Sequence, residues 1–271
     1  MPNIIDALAR VKAEYEGAIV TGGRDKVTAL IRSKKIINHI HEYIKAELVA
    51  NGVNSKKIYP KPGLTKPELT MAGFLKEKSQ DISILSSEFQ PEDIVEGTLI
   101  GKKDKIGKSV LNLSISINIR SQLSSISKNF DTLYERTFAE PLNLHLRVPK
   151  LVMGEVYLIP LMAYNSNAML KKQIKFSERL PIKYIPAFQK INGRNSAVDN
   201  EYKYERVCLL IVDFDRSRPL IINDASKLIE LGFLKDNEAN QYSLDNLTID
   251  NFVKDILTVY KNRHGSLRPL T

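Results

Sequence analysis

Apolar residues recur at helical spacing from the start of the chain, where Ile4, Leu8, Val11 and Tyr15 mark one face until Thr21-Gly22-Gly23 interrupts it. With Asp25 as an N-cap, Val27, Leu30, Ile31, Ile37, Ile40, Ile44 and Leu48 extend a stripe at steps of three and four, and Asn51-Gly52 supplies a left-handed stop. This pattern predicts a short helix and then one long helix within residues 1–52, with Glu42 and Glu47 on or near its flank. Residues 54–79, with Pro60, Pro62, Gly63 and Pro67, lose the period and read as a basic connection. Three candidate strands follow: residues 81–85, residues 94–100, and residues 110–120, where apolar and small polar side chains alternate; an antiparallel meander is the economical arrangement.

The helical period returns with Ile126, Phe130, Leu133, Tyr134, Phe138, Leu142 and Leu146, predicting a helix over 122–147 with Pro141 at a kink point. Residues 151–160 then read as a buried strand. A strand-helix-strand unit makes a right-handed crossover to a parallel neighbour, so the fold class is α/β, with a mixed central sheet flanked by helices. Residues 161–205 are polar, basic and weakly periodic, an insertion or recognition loop segment. The C-terminal part, 206–271, supplies a strand over 206–214, a pairing segment at 219–222, a helix opened by Asp224 and a closing amphipathic helix over 248–260.

Composition narrows the class. The 271 residues are 43% hydrophobic, enough for a sizeable core, and carry a formal net charge of +9. The single Cys208 lies in the apolar run Val207 to Val212, cannot form an internal disulfide and suits a reducing, cytoplasmic setting. No stretch approaches the roughly 20 apolar residues of a membrane helix, and the start Met1-Pro2-Asn3 lacks the basic opening of a leader, so a soluble, unprocessed chain is expected. The four His residues fall at no zinc-ligand spacing. The whole positive excess lies in residues 1–200, densest at Lys56 to Lys78, at Lys102-Lys103-Asp104-Lys105, and at Lys171 to Arg194, where aromatic side chains are interleaved with the cations. That is the footprint of a polyanion binder, and equally of a plain solvated basic surface.

Glycine-rich nucleotide loops, serine elbows and metalloprotease helices are missing. An acidic residue opens the first candidate strand, the third has a polar face, and the following helix bears Glu135 and Glu140. Carboxylates gathered at a sheet edge can hold Mg²⁺, and a neighbouring cation can stabilise charge on a phosphate under attack.

The segments Lys76-Glu77-Lys78-Ser79-Gln80-Asp81-Ile82-Ser83-Ile84, Ile117-Asn118-Ile119-Arg120-Ser121-Gln122 and Phe130 to Leu144 resemble the core of type II restriction endonucleases of the PD-(D/E)xK superfamily, over about residues 35–160. The resemblance implies a restriction-endonuclease-like core of helix, three-strand meander, helix and strand, with the catalytic part at 76–160. It also implies one nuclease domain over 1–271 and a Mg²⁺-dependent phosphodiesterase, a homodimer reading a short palindromic site in double-stranded DNA. Asp81 matches the first acidic metal ligand, with Gln80 in place of the usual Pro. Asn118 and Arg120 stand where an acidic residue and Lys are usual; Arg stabilises negative charge but cannot help deprotonate water. Glu140 resembles the displaced second acid of relatives that cut around CCGG. Lys128 and Gln122 are alternatives for the missing Lys, and Glu47 resembles the supporting carboxylate of the first helix.

The expected metal ligands are thus Asp81, Glu140 and Glu47, with Arg120 and Lys128 completing the catalytic set. DNA contacts are expected from Arg136, Gln122, Lys102, Lys103, Lys172, Lys190, Arg194 and Asn195, which combine phosphate-seeking cations with side chains able to read base edges. Each has an ordinary structural alternative, and the departures at Asn118 and Arg120 favour a second reading, a DNA-binding protein without catalysis.

Overall fold

A computed structural model describes residues 3–271, leaving aside the side chains of residues 239–241; the leaderless start expected at Met1-Pro2 lies outside the described residues. The chain opens with helices α1 (Ile4–Arg32) and α2 (Lys35–Ala50) and continues through strands β1 (Ile58–Tyr59), β2 (Leu69–Ala72), β3 (Glu77–Gln80), β4 (Ile82–Ile84), β5 (Glu92–Asp93) and β6 (Lys103–Asp104). Helix α3 (Lys108–Leu111), β7 (Ile115–Ser121), α4 (Phe130–His145), β8 (Val152–Pro160), β9 (Met162–Tyr164), α5 (Ser166–Leu170), β10 (Phe176–Arg179) and α6 (Tyr184–Lys190) follow. The last elements are β11 (Arg206–Asp213), β12 (Leu220–Ile222), α7 (Ala225–Glu230) and α8 (Phe252–His264).

The expected mixed sheet is present. Its six strands run β1-β4-β7-β8-β11-β12, antiparallel from β1 to β7, parallel across β7, β8 and β11, and antiparallel again at β12. Alternation along the central strands sorts two cores. Ile115, Ile117 and Ile119 of β7, with Val156 of β8 and Leu210 of β11, face α1, α2 and α8. Met153, Tyr157 and Ile159 of β8 and Leu209 of β11 join the opposite core, with residues of α4, α6 and α7. Gly154 lets α8 close on β8, because a Cβ there would stand 2.7 Å from the tip of Ile256 and 2.8 Å from that of Phe252. Cys208 is fully buried, and burial pushes its thiol pKa up.

Several boundaries differ from the sequence expectation. The interruption expected at Gly23 is present: its backbone leaves the helical region (φ 62°, ψ −150°) and kinks α1 into two helices, and a Cβ there would meet the Met169 carbonyl oxygen at 2.8 Å. A second break, which no Gly or Pro announces, comes at the left-handed Lys34 (φ 59°), so the long helix expected beyond Asp25 is divided. The first meander strand is β1, within the segment read as a loop, because two residues are too short to show a period. Residues 94–100 form no strand of the central sheet: Gly97–Leu99 is a short helical turn and Val95 is 83% exposed. Val110 and Leu111 belong to α3, so β7 starts only at Ile115. Helix α4 starts at Phe130 rather than near 122, because the Gln122 amide turns back to donate to the Ser125 carbonyl (2.9 Å) and so holds a loop. The segment 161–205 is not simply a loop: β9 pairs with β10, and α6 buries Tyr184, Ile185 and Phe188.

Candidate functional site

Sheet register brings the polar residues together. Ile82 pairs with Ile117, so Asp81 opens β4 beside Asn118. The Asp81 N–H donates to Asn118 Oδ1 (3.1 Å), and the Ile119 N–H donates to Asp81 Oδ2 (2.9 Å). Asn118 and Arg120 share the face of β7 that looks toward α4, as residues two apart on a strand must. Asn118 Nδ2 donates to Glu140 Oε1 (3.0 Å) and to Gln80 Oε1 (2.7 Å). Arg120 forks over α4, with one terminal nitrogen on Thr137 Oγ1 (3.0 Å) and the other on Glu140 Oε2. Lys78 of β3 reaches the same Glu140 oxygen at 3.2 Å.

This cluster borders a cleft of about 460 Å³ lined by Lys76, Lys78, Arg120, Arg136, Glu140 and Asn143. Four cations around one carboxylate make it a place for a polyanion rather than an apolar ligand.

Two carboxylates that the expected set lacks complete the site. Glu155 lies opposite Asn118 in the β7/β8 register, fully buried, with Oε1 3.1 Å from Arg120 Nε. Burial raises its pKa to about 8 against the opposing charge of Arg120. Burial works against the Arg120 charge too, but Glu155, Glu140 and Asp81 outweigh it and hold the guanidinium proton more firmly than usual. Glu68, just before β2, shares the Lys34 ammonium with Asp81, at 2.8 and 3.2 Å. These two carboxylates raise the Lys34 pKa in spite of its burial. One signal for Glu155 was in the sequence: it is the lone charge inside the apolar run 151–160.

No family model, curated protein or solved structure matches this chain. What the site can do is argued from its own geometry.

The structure gathers Asp81, Arg120 and Glu140 from the expected catalytic and metal set and keeps Glu47 and Lys128 out of that cluster. Glu47 acts on Tyr43 of its own helix; the α2 end near Asp81 carries Lys34 and His41 instead. Lys128 is exposed before α4 and makes no ion pair or hydrogen bond among the described residues. Gln122 is buried, its Oε1 accepting from the Tyr157 (2.8 Å) and Tyr184 (3.0 Å) hydroxyls, so it fills neither the Lys role nor a DNA contact. Arg194 is buried on Glu205 (2.8 Å) and on the Pro149 and Ala197 carbonyls, and has no path to a base edge.

Of the remaining candidates Arg136 lines the cleft. Lys102, Lys103, Lys172 and Lys190 are exposed on other elements, Lys103 paired with Asp93. Asn195 borders a separate cleft with Asn192 and Arg206. No group of three His, Cys, Asp or Glu that could hold a metal is found, and no helix is long and apolar enough to cross a membrane, among the described residues.

Proposed function

We propose that this chain is a Mg²⁺-dependent, site-specific double-stranded DNA endonuclease acting as a homodimer on a short palindromic site. The observation that carries this reading is the convergence of Asp81, Asn118, Arg120 and Glu140, from β4, β7 and α4, beside a cleft bearing Lys76, Lys78 and Arg136. Support also comes from the order α2, β1, β4, β7, α4, β8, a helix, an antiparallel three-strand meander, a helix and a parallel strand, the arrangement that the resemblance implies.

Donor chemistry separates two places for the ion. Asp81 and Glu68 already draw one ammonium between them, and Mg²⁺ takes one or two carboxylates plus water, so this pair fits a hard divalent cation once the half-exposed Lys34 swings out. Glu140 fits less well, because its oxygens accept from Asn118, Gln80, Arg120 and Lys78. Bound at Asp81 and Glu68, Mg²⁺ supplies a water acidified for attack on phosphorus and a counter-charge for the phosphate. Lys76, Lys78 and Arg136 bind and orient the phosphodiester along the cleft. Arg120 stabilises the charge that develops on it, held at the right angle by Glu140 and Thr137.

The test is digestion of unmethylated phage DNA with and without Mg²⁺, beside Asp81→Asn and Lys78→Ala. Discrete fragments that need Mg²⁺, lost in the first variant and slowed at least about tenfold in the second through poorer orientation of the phosphodiester, are expected. DNA left intact by the wild-type protein under every metal and salt condition overturns the reading. The second reading, DNA binding without cleavage, draws on the amide at Asn118 and the fully engaged Glu140. It predicts intact DNA and an affinity indifferent to Mg²⁺.

A further inference from the structure

Arg120 is shared between two carboxylates that hold it differently. Its terminal nitrogens make hydrogen bonds to Thr137 and Glu140 on the cleft side. Its Nε stands 3.1 Å from Glu155 Oε1 without the alignment of a hydrogen bond, and neither Glu155 oxygen has an aligned hydrogen-bond partner among the described residues, the Tyr204 hydroxyl lying against the carboxyl equally unaligned. A fully buried carboxylate without aligned donors costs far more than the protonated acid does. The groups that face Glu155 are Arg120 from β7, Glu140 from α4, Asp81 at the start of β4, Lys78 from β3 and the Tyr204 hydroxyl ahead of β11.

Charge balance turns on this one proton. With Glu155 ionised, Glu140 and Glu155 offset Arg120 and Lys78, while Lys34 lies apart between Asp81 and Glu68. With Glu155 neutral, the group of Arg120, Lys78 and Glu140 has one unmatched positive charge, in the lining of the cleft where a phosphodiester would enter.

We propose that Glu155 is a positioning residue for Arg120: ionised, it holds the guanidinium against the sheet, and protonated, it leaves that charge to a phosphodiester in the cleft. The ligand rests on the nucleic-acid reading above; the coupling of Glu155 to Arg120 does not. The proton exchanges with solvent and no covalent step is involved. Burial keeps the carboxyl protonated up to about pH 8, so the hold on Arg120 tightens as pH rises through that value.

Two measurements test the proposal. In the first, binding of a labelled DNA duplex is followed by fluorescence anisotropy in chelator at fixed ionic strength, from about pH 6 to about pH 9. Wild-type affinity is expected to fall about tenfold, the low end for one hydrogen bond to a charged group. Glu155→Gln is expected to keep the low-pH affinity throughout, and equal pH profiles in the two proteins overturn the proposal. In the second, the Arg120 Nε–H signal, assigned by its loss in Arg120→Lys, is followed by NMR in the wild-type protein. A shift with a midpoint near pH 8 is expected, and a flat signal overturns the proposal even if the Gln variant does not fold. A titrating Arg120 with no duplex binding at any pH sinks the nucleic-acid reading and leaves the role of Glu155 standing.

Discussion

Glu205 and Glu155 are both fully buried carboxyls, and their surroundings push them in opposite directions. Glu205 accepts from Arg194 (2.8 Å) and Arg263 (2.6 Å) and from the Met153 N–H (2.6 Å), with His145 at 3.5 Å. Burial alone would raise its pKa, but His145, Arg263 and Arg194 win and bring it down to about 2. A depressed carboxyl contributes stability above its unfolded value, near 4.5, and that contribution is lost as pH falls toward 2. Glu155 runs the other way, its raised pKa removing stability as pH climbs toward 8. Glu205→Gln leaves two buried guanidinium groups short of a counter-charge and is expected to lose about 3–5 kcal/mol. Urea unfolding at neutral pH and again at acid pH checks this. The gap must shrink on acidification, and a gap that stays constant refutes the ionic account. The same pairing explains why Arg194 misleads in the sequence: its charge is visible in a polar segment, but its partner Glu205, though near in the chain, is brought against it by a loop that no helix or strand period encodes.

At the scale of elements, what was legible depended on length and on whether the period was set locally. Strands β8 and β11 are long and buried on both faces, so their apolar runs announced them. The β2/β3 hairpin carries Lys78 to the cleft, yet it is four residues a side and its place is fixed from α4. Buried Asn143 accepts from the Leu75 (2.7 Å) and Lys76 (3.1 Å) N–H groups and donates to the Lys76 carbonyl (3.0 Å). Its own carbonyl accepts from the Phe74 N–H at 2.7 Å. Gly73 permits this approach, since a Cβ there would lie 2.7 Å from the same carbonyl oxygen. Asn143→Ala is expected to cost about 1–3 kcal/mol through unsatisfied backbone groups. It should also speed amide exchange across residues 73–80 while leaving β8 and β11 protected. Uniformly faster exchange would show instead that the hairpin and the sheet open as one unit. Asp81 and Glu140 could be singled out because one opens a strand and the other rides a helix, both with a locally set period; Glu155 showed only as a lone charge in an apolar run and Lys78 not at all, because a strand register and a hairpin position bring them in.

Over the whole molecule, net charge forecast an anionic partner but not where it would bind. Exposed cations are spread over hairpins, α6 and the α5 turn, and a uniform basic surface would attract DNA with no preferred seat. The cleft gathers Lys76, Lys78, Arg120 and Arg136 in its lining. These two possibilities differ in how binding responds to salt. Each phosphate neutralised contributes about −0.9 to the slope of log K against log salt for duplex DNA. Replacing Lys76 and Lys78 together by Ala is expected to flatten the slope by about two contacts. Replacing Lys102 and Lys103, on the β5/β6 hairpin, is expected to change it little, since neither lines the cleft. Equal losses from both pairs would mean that affinity follows total charge, and the cleft would then have no special claim on the backbone of DNA. A loss confined to the Lys76 and Lys78 pair would place the phosphates against Arg120, within reach of the group that Glu155 positions.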